Sequence, residues 1–160
     1  MTPYREMALN NAWANATLYA AMSPLSQADF TAPRPGFFAS LAATMDHIYA
    51  VDLYYIDALE QGGLGRSVYD RAPVTSVAEL GGLQSQADLR LARFCSALAP
   101  DILARRVRTA GAPDPEVTER TDMLLLHLFQ HQVHHRGQAH VQLQDAGIAP
   151  PQLDEFFLED

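Results

Sequence analysis

Apolar residues recur every three or four positions along four stretches of the chain, and proline- and glycine-rich breaks separate them. This spacing predicts four helices. The first runs from about Pro3 to Met22; proline suits an N-terminal position, and Leu9, Trp13, Ala16 and Ala20 fall on one face. Trp13, the only tryptophan, reads as a core anchor on that face. Ser23-Pro24 ends the helix, because proline disfavours helical geometry in the residue before it. After the breakers Thr31-Ala-Pro-Arg-Pro-Gly36, a second helix is expected from about Gly36 to Leu59. Its apolar positions are Phe37, Leu41, Met45, Ile48, Leu53 and Ile56. On its flank His47, Val51, Tyr54 and Ala58 form a parallel row, so a histidine opens a mostly apolar stripe.

Gln61-Gly62-Gly63-Leu-Gly65 stops that helix, and Ser76-Val-Ala-Glu79 has the form of a capping box for a third. The third helix reaches about Leu98 through Leu80, Leu83, Ala87, Leu91 and Phe94. Gly81-Gly82 weakens its first turns by about 1 kcal/mol per glycine, which leaves a start near Leu83 open. Residues 102–109 read as an irregular connection or a brief strand, with Gly111, Pro113 and Pro115 following. The fourth and longest helix is expected from about Pro115 to Asp145, closed by Gly147, Pro150 and Pro151. Phe156, Phe157 and Leu158 are expected to dock on the bundle or on a second subunit. Four amphipathic helices with a longer connection before the last describe an all-α four-helix bundle, one domain over residues 1–160.

Charge narrows the functional classes. The formal net charge is −8, and the eleven basic residues are all arginine with no cluster that offsets the acid excess. Such a surface repels phosphate backbones, so no nucleic-acid partner is expected. No apolar run reaches the length of a membrane span, and the start lacks a basic segment followed by an apolar core. The single cysteine, Cys95, lies in an apolar helical run and reads as a buried inert thiol. A lone cysteine favours a reducing compartment, and the expectation is a cytoplasmic protein.

Histidine is where the pattern becomes chemical. Five of the six histidines fall within the fourteen residues from His127 to His140, and the sixth is His47. At about 100° per residue, His131 and His135 stand one turn apart on one face, which they share with Leu124 and Leu128. That face is expected to point inward, and a metal ion is the readiest partner for two buried imidazoles. His47 on the second helix could supply a third nitrogen. Helix caps, core hydrogen bonds or a titrating surface patch remain as blander readings of the pair. Three histidines from two helices would leave coordination positions open, as in catalytic metal sites, and zinc or nickel would suit them. His127 is placed to join or neighbour the pair, His134 to flank it, and His140 lies nearly opposite. Gln138 is placed to hydrogen-bond a ligand imidazole or a metal-bound water. For Arg136 a structural ion pair and a functional role are left equal. The spacing His131-Gln-Val-His134-His135 imitates a metalloprotease motif, but Gln132 stands where the glutamate base is needed. A protease of that type is disfavoured.

These residues carry a resemblance. His131-Gln-Val-His134-His135-Arg136-Gly137-Gln138, followed by Leu143, Ala146-Gly147 and Pro150-Pro151-Gln-Leu-Asp154, is similar to the C-terminal signature of the DinB family. Asn11-Ala-Trp13-Ala-Asn15 and His47 match the same pattern. The resemblance implies an up-down four-helix bundle of DinB/YfiT type, often a homodimer, with His47, His131 and His135 as metal ligands. Relatives in the superfamily include transferases and isomerases that use low-molecular-weight thiols. The resemblance thus suggests a divalent-metal-dependent enzyme acting on a small molecule, with thiol transfer as a candidate reaction. The alternative is a non-catalytic, stress-related dimer that binds metal or ligand. Tyr54 and Tyr55 stand where the family often has a tryptophan, which leaves the pocket and substrate undefined.

Overall fold

The structure, a computed structural model, describes residues 3–109 and 117–153. In chain order these form α1 (Pro3–Met22), α2 (Gln27–Thr31), α3 (Leu41–Glu60), a 3₁₀ turn (Gly65–Tyr69), α4 (Val77–Ser96), α5 (Pro100–Ala104), β1 (Arg106–Arg108), β2 (Thr118–Arg120) and α6 (Thr121–Asp145). The long helices α1, α3, α4 and α6 make a four-helix bundle. Both α1 and α3 pack on α4 and on α6, which puts α1 and α3 on opposite corners. Segments 23–40 and 97–120 connect helices that lie across the two diagonals of the bundle. Among the described residues, no helix is long and apolar enough to cross a membrane.

Local sequence explains most helix ends. Ser76 caps α4, its hydroxyl accepting from the Glu79 amide at 3.4 Å. The α4 helix includes both Gly81 and Gly82, so the later start is not used. Gly81 has a packing reason: a Cβ there would sit 3.2 Å from the Tyr19 ring, so glycine lets α1 and α4 approach. Ser40 caps α3, accepting from the Ala43 amide at 3.1 Å. The second predicted helix therefore begins at Leu41 and not near Gly36. Phe37, assigned to its apolar face, is 80% exposed. Gly36 adopts φ +151°, and a Cβ there would meet Gln142 Nε2 at 2.9 Å, so the chain turns here instead of coiling. The fourth predicted helix is also shorter than expected. Residues 118–120 pair antiparallel with 106–108, as Arg106–Arg120, Val107–Glu119 and Arg108–Thr118, and α6 starts only at Thr121. Pro115, the expected start, and Phe156, Phe157 and Leu158 of the tail lie outside the described residues.

The buried face of α1 is the largest departure. Leu9 and Trp13 are only partly buried, and Ala16 and Ala20 are exposed. The face that enters the core carries Ala8, Asn11, Asn15, Leu18, Tyr19 and Met22. Two asparagines can turn inward because the centre of the bundle is polar. Asn11 Nδ2 and Asn15 Nδ2 donate to the Asp88 carboxylate at 3.2 and 3.0 Å. Gln84 Nε2 donates to Asp52 Oδ2 at 2.7 Å and to Asp88 Oδ1 at 3.1 Å, and Gln132 Nε2 also donates to Asp52 Oδ2. Arg136 Nη1 completes the network by donating to Asn11 Oδ1, to Asn15 Oδ1 at 3.1 Å and to Gln132 Oε1 at 3.0 Å. Every long helix contributes. Burial pushes the Asp52 carboxyl up to about 7 and that of Asp88 up to about 6. Around this centre lie Leu18, Met22, Leu41, Met45, Ile48, Ile56, Leu80, Leu91, Leu124 and Leu125, all essentially fully buried. Cys95 is buried among them, and desolvation pushes its thiol up to about 12.

Candidate metal centre

The face of α6 that carries His131 and His135 is held inward by Leu124 and Leu128, both fully buried. Packing of α3 on α6 brings His47 against them. The ligand-capable nitrogens of His47, His131 and His135 all lie within 4.8 Å of one another. His47 Nε2 and His131 Nε2 are 3.0 Å apart, and the His131 and His135 ring centroids are 4.3 Å apart. Nitrogens sharing a tetrahedral ion at about 2.05 Å are separated by roughly 3.3 Å, so the observed spread brackets the spacing that zinc requires.

Electrostatics prepares the three rings for a cation. Desolvation first, then the neighbouring histidines, lowers the His131 imidazole to about 3. Desolvation likewise leads the lowering at His47 and His135. Neutral rings offer lone pairs, although the Asp46 carboxylate beside His47 partly offsets the lowering there. The tautomer of His135 follows from its neighbour. Gln138 Oε1 can only accept, so at 2.8 Å it takes the Nδ1 proton of His135 and leaves Nε2 free to bind. The same amide donates from Nε2 to His134 Nε2 at 3.1 Å. His131 Nδ1 is buried without a hydrogen-bond partner, so this ring is oriented by packing and by its Nε2 contact with His47.

Other predicted neighbours fall as follows. His134 flanks the cluster, its ring 4.8 Å from that of His135. His127 stays outside the triad, exposed, 6.4 Å from the His131 ring and 5.1 Å from Tyr55. His140 turns away and donates from Nε2 to the Pro151 carbonyl at 2.6 Å. Arg136 is structural, donating into the amide network at the bundle centre. Gln138 hydrogen-bonds one of the three clustered imidazoles, that of His135.

Sequence reading missed the lid over His47. Phe38 stacks 4.4 Å from the His47 ring and 5.6 Å from that of His135. Its position is fixed by Gln142, whose Nε2 donates to the Phe38 carbonyl at 2.7 Å while Oε1 accepts from the Thr44 hydroxyl at 2.7 Å. The signal was the glycine at 36, which alone tolerates the approach of Gln142. On the other side Asp46, beside His47, accepts from Arg71 at 2.8 Å and from the Val74 amide at 3.0 Å. That pins the connection before α4 against the site. Tyr54, Tyr55 and Tyr69 form an aromatic border that reaches His127.

A bundle with three imidazoles converging from two helices defines a class, the helical-bundle proteins with a histidine cluster able to hold a metal ion. Within it, this chain belongs to the DinB family, whose sequence pattern matches residues 1–160. The fold agrees with solved structures of DinB-like proteins. One, YjoA from Bacillus subtilis, is 16% identical with a TM-score of 0.65, covering 92% of this chain and 96% of that one. Another, from Bacillus cereus, is 17% identical with a TM-score of 0.67, covering 88% of this chain and 90% of that one. No curated protein matches the chain.

Proposed function

We propose that the protein is a divalent-metal-dependent enzyme whose ion is held by His47, His131 and His135, with zinc or nickel as the metal. The observation that carries this is the meeting of His47 Nε2 and His131 Nε2 at 3.0 Å, beside a His135 ring that Gln138 sets with its Nε2 free. Three protein ligands leave a position for substrate or solvent. When bound, a divalent ion supplies Lewis acidity, lowering the pKa of a coordinated water or thiol towards neutrality. The chain's own groups do the rest. Phe38 shields one flank of the cluster from water, and Gln138 holds the His135 proton on Nδ1. The exposed imidazole of His127 lies against Tyr55, beside the cluster. A low-molecular-weight thiol is the proposed co-substrate, since a soft sulfur suits an open zinc or nickel position. The buried, unpaired Cys95 accords with a cytoplasmic setting.

Metal analysis of untagged protein tests the ligand set. The unaltered chain is expected to retain about one zinc or nickel ion, and His47→Ala, His131→Ala and His135→Ala each to lose it. Gln138→Leu keeps the ligands but frees the His135 tautomer, so its metal affinity should fall by about 10–100-fold. Unchanged metal content in all three histidine variants would sink the assignment. Chelator-sensitive turnover of thiol conjugates then separates an enzyme from a metal-binding protein without activity.

A further inference from the structure

Between α1 and α4 the surface opens into a cleft of about 380 Å³, and none of its lining residues belongs to the histidine cluster. Its walls are apolar, formed by Leu9, Ala16, Leu89 and Ala92. Its floor is the polar centre of the bundle: Asn15, Tyr19, Gln84 and Asp88, each at most 8% exposed. Two of these side chains are incompletely bonded. The Tyr19 hydroxyl and Gln84 Oε1 are buried without a hydrogen-bond partner. Buried polar atoms are ordinarily satisfied, so two orphans on residues lining one cleft point to a ligand that bonds them. Asp88 adds a third acceptor. Its Oδ1 takes bonds from Asn11, Asn15 and Gln84 at 3.2, 3.0 and 3.1 Å, while Oδ2 takes only that of Asn15 at 3.2 Å. The three groups lie together: the Gln84 amide is bonded to Asp88, and of the surrounding charges that of Asp88 acts most strongly on the Tyr19 hydroxyl.

We propose that this cleft binds a small primary ammonium ion carrying an apolar body. The floor decides the charge. Gln84 Oε1 and Asp88 Oδ2 can only accept, and the Tyr19 hydroxyl can accept as well. An ammonium group brings three donors and no acceptor, one donor for each of these oxygens. The network beneath is short of positive charge, because the carboxylates of Asp52 and Asp88 share the single guanidinium of Arg136. An anion would instead be repelled by Asp88. The walls decide the rest of the ligand. Leu9 and Leu89 offer hydrocarbon surface, and the small side chains of Ala16 and Ala92 leave room for an apolar body. A few converging polar groups under apolar walls are the ordinary make-up of a small-molecule pocket, and the volume falls within the usual range. Because α1 and α4 build the site, it stands whether or not the histidines hold a metal.

Titrating the full isotope-labelled chain with phenethylammonium at neutral pH, with and without zinc, tests this by amide resonance shifts. The expected result is saturable shifts on α1 and α4 around Asn15 and Gln84, the same in both zinc conditions. Phenethyl alcohol, which has the same body without the charge, should bind at least about 10-fold more weakly. Hydrocinnamate, its anionic counterpart, should leave these resonances in place. Ala16→Leu fills the cleft from an exposed position, so it should keep the helical circular dichroism of the parent and abolish the saturable shifts. Absence of saturation, equal binding of the alcohol, or undiminished binding by the Ala16→Leu variant each overturns the proposal. Shifts confined to α3 and α6 also overturn it, and assign the amine to the histidine cluster.

Discussion

Replacing Arg136 by alanine is expected to destabilise the fold by about 3–5 kcal/mol, the range for removing one partner of a buried ionic network. The guanidinium is 6% exposed and donates to Asn11, Asn15 and Gln132. Without it three buried amide oxygens lose their donor, and Asp52 and Asp88 lose the one cation that lowers their energy. The whole loss falls on one cooperative unit, because the network draws on α1, α3, α4 and α6 together. For a domain whose total stability is on the order of 5–15 kcal/mol, this can leave a substantial unfolded fraction. Arg136→Lys should recover only part of it, since an ammonium cannot reproduce a planar fork that serves three oxygens. Urea denaturation of parent and variants measures the difference. A change below about 1 kcal/mol for the alanine variant would show that water takes over the role of the side chain.

Asp52→Asn is expected to act in the opposite direction, and in a pH-dependent way. Desolvation, then the charge of Asp88, pushes the Asp52 carboxyl from 3.8 to about 7 in the folded chain. An acid with a raised folded value favours the folded state while protonated. Its contribution is full below about pH 4, where both states hold the proton, and is lost as pH rises to about 7, where the folded carboxyl ionises. The loss amounts to as much as about 4 kcal/mol. The lowered value of His131 runs the other way: its contribution is present above the unfolded value of 6.5 and is lost as pH falls from there towards 3. The parent therefore hides one limb behind the other. Asparagine removes the Asp52 limb while keeping an oxygen for Gln84 and Gln132, and its amide replaces the partnerless Oδ1. The variant should be more stable than the parent at pH 8 by about 2–4 kcal/mol, with the gap closing by about pH 4. A gap that does not change with pH, or a variant less stable at pH 8, would contradict this account.

What the sequence made legible was local. His131 and His135 share a face because they are four residues apart on one helix, and no long-range information is needed to see it. His47 lies 84 positions from His131, and its arrival depends on how α3 seats against α6. Only its place at the head of an apolar row hinted at this. The face of α1 was misjudged because a polar residue is ordinarily assigned to the outside. Asn11 and Asn15 are inside because Asp88 and Arg136 meet them there, which one helix cannot reveal. The start of α6 was placed too early because residues 118–120 pair with 106–108, a choice settled across a connection and not within it. Phe38 was lost for the same kind of reason: Gln142, 104 positions later, holds it over His47.

The lone thiol has a use that follows from its burial. Cys95 sits in the core on α4, and as a thiol pushed up to about 12 it is almost wholly uncharged at neutral pH. Alkylating reagents attack the thiolate, so they meet Cys95 only in molecules whose core has opened. With no other cysteine in the chain, each modified molecule records one such opening. The protein carries its own chemical counter of the opened state.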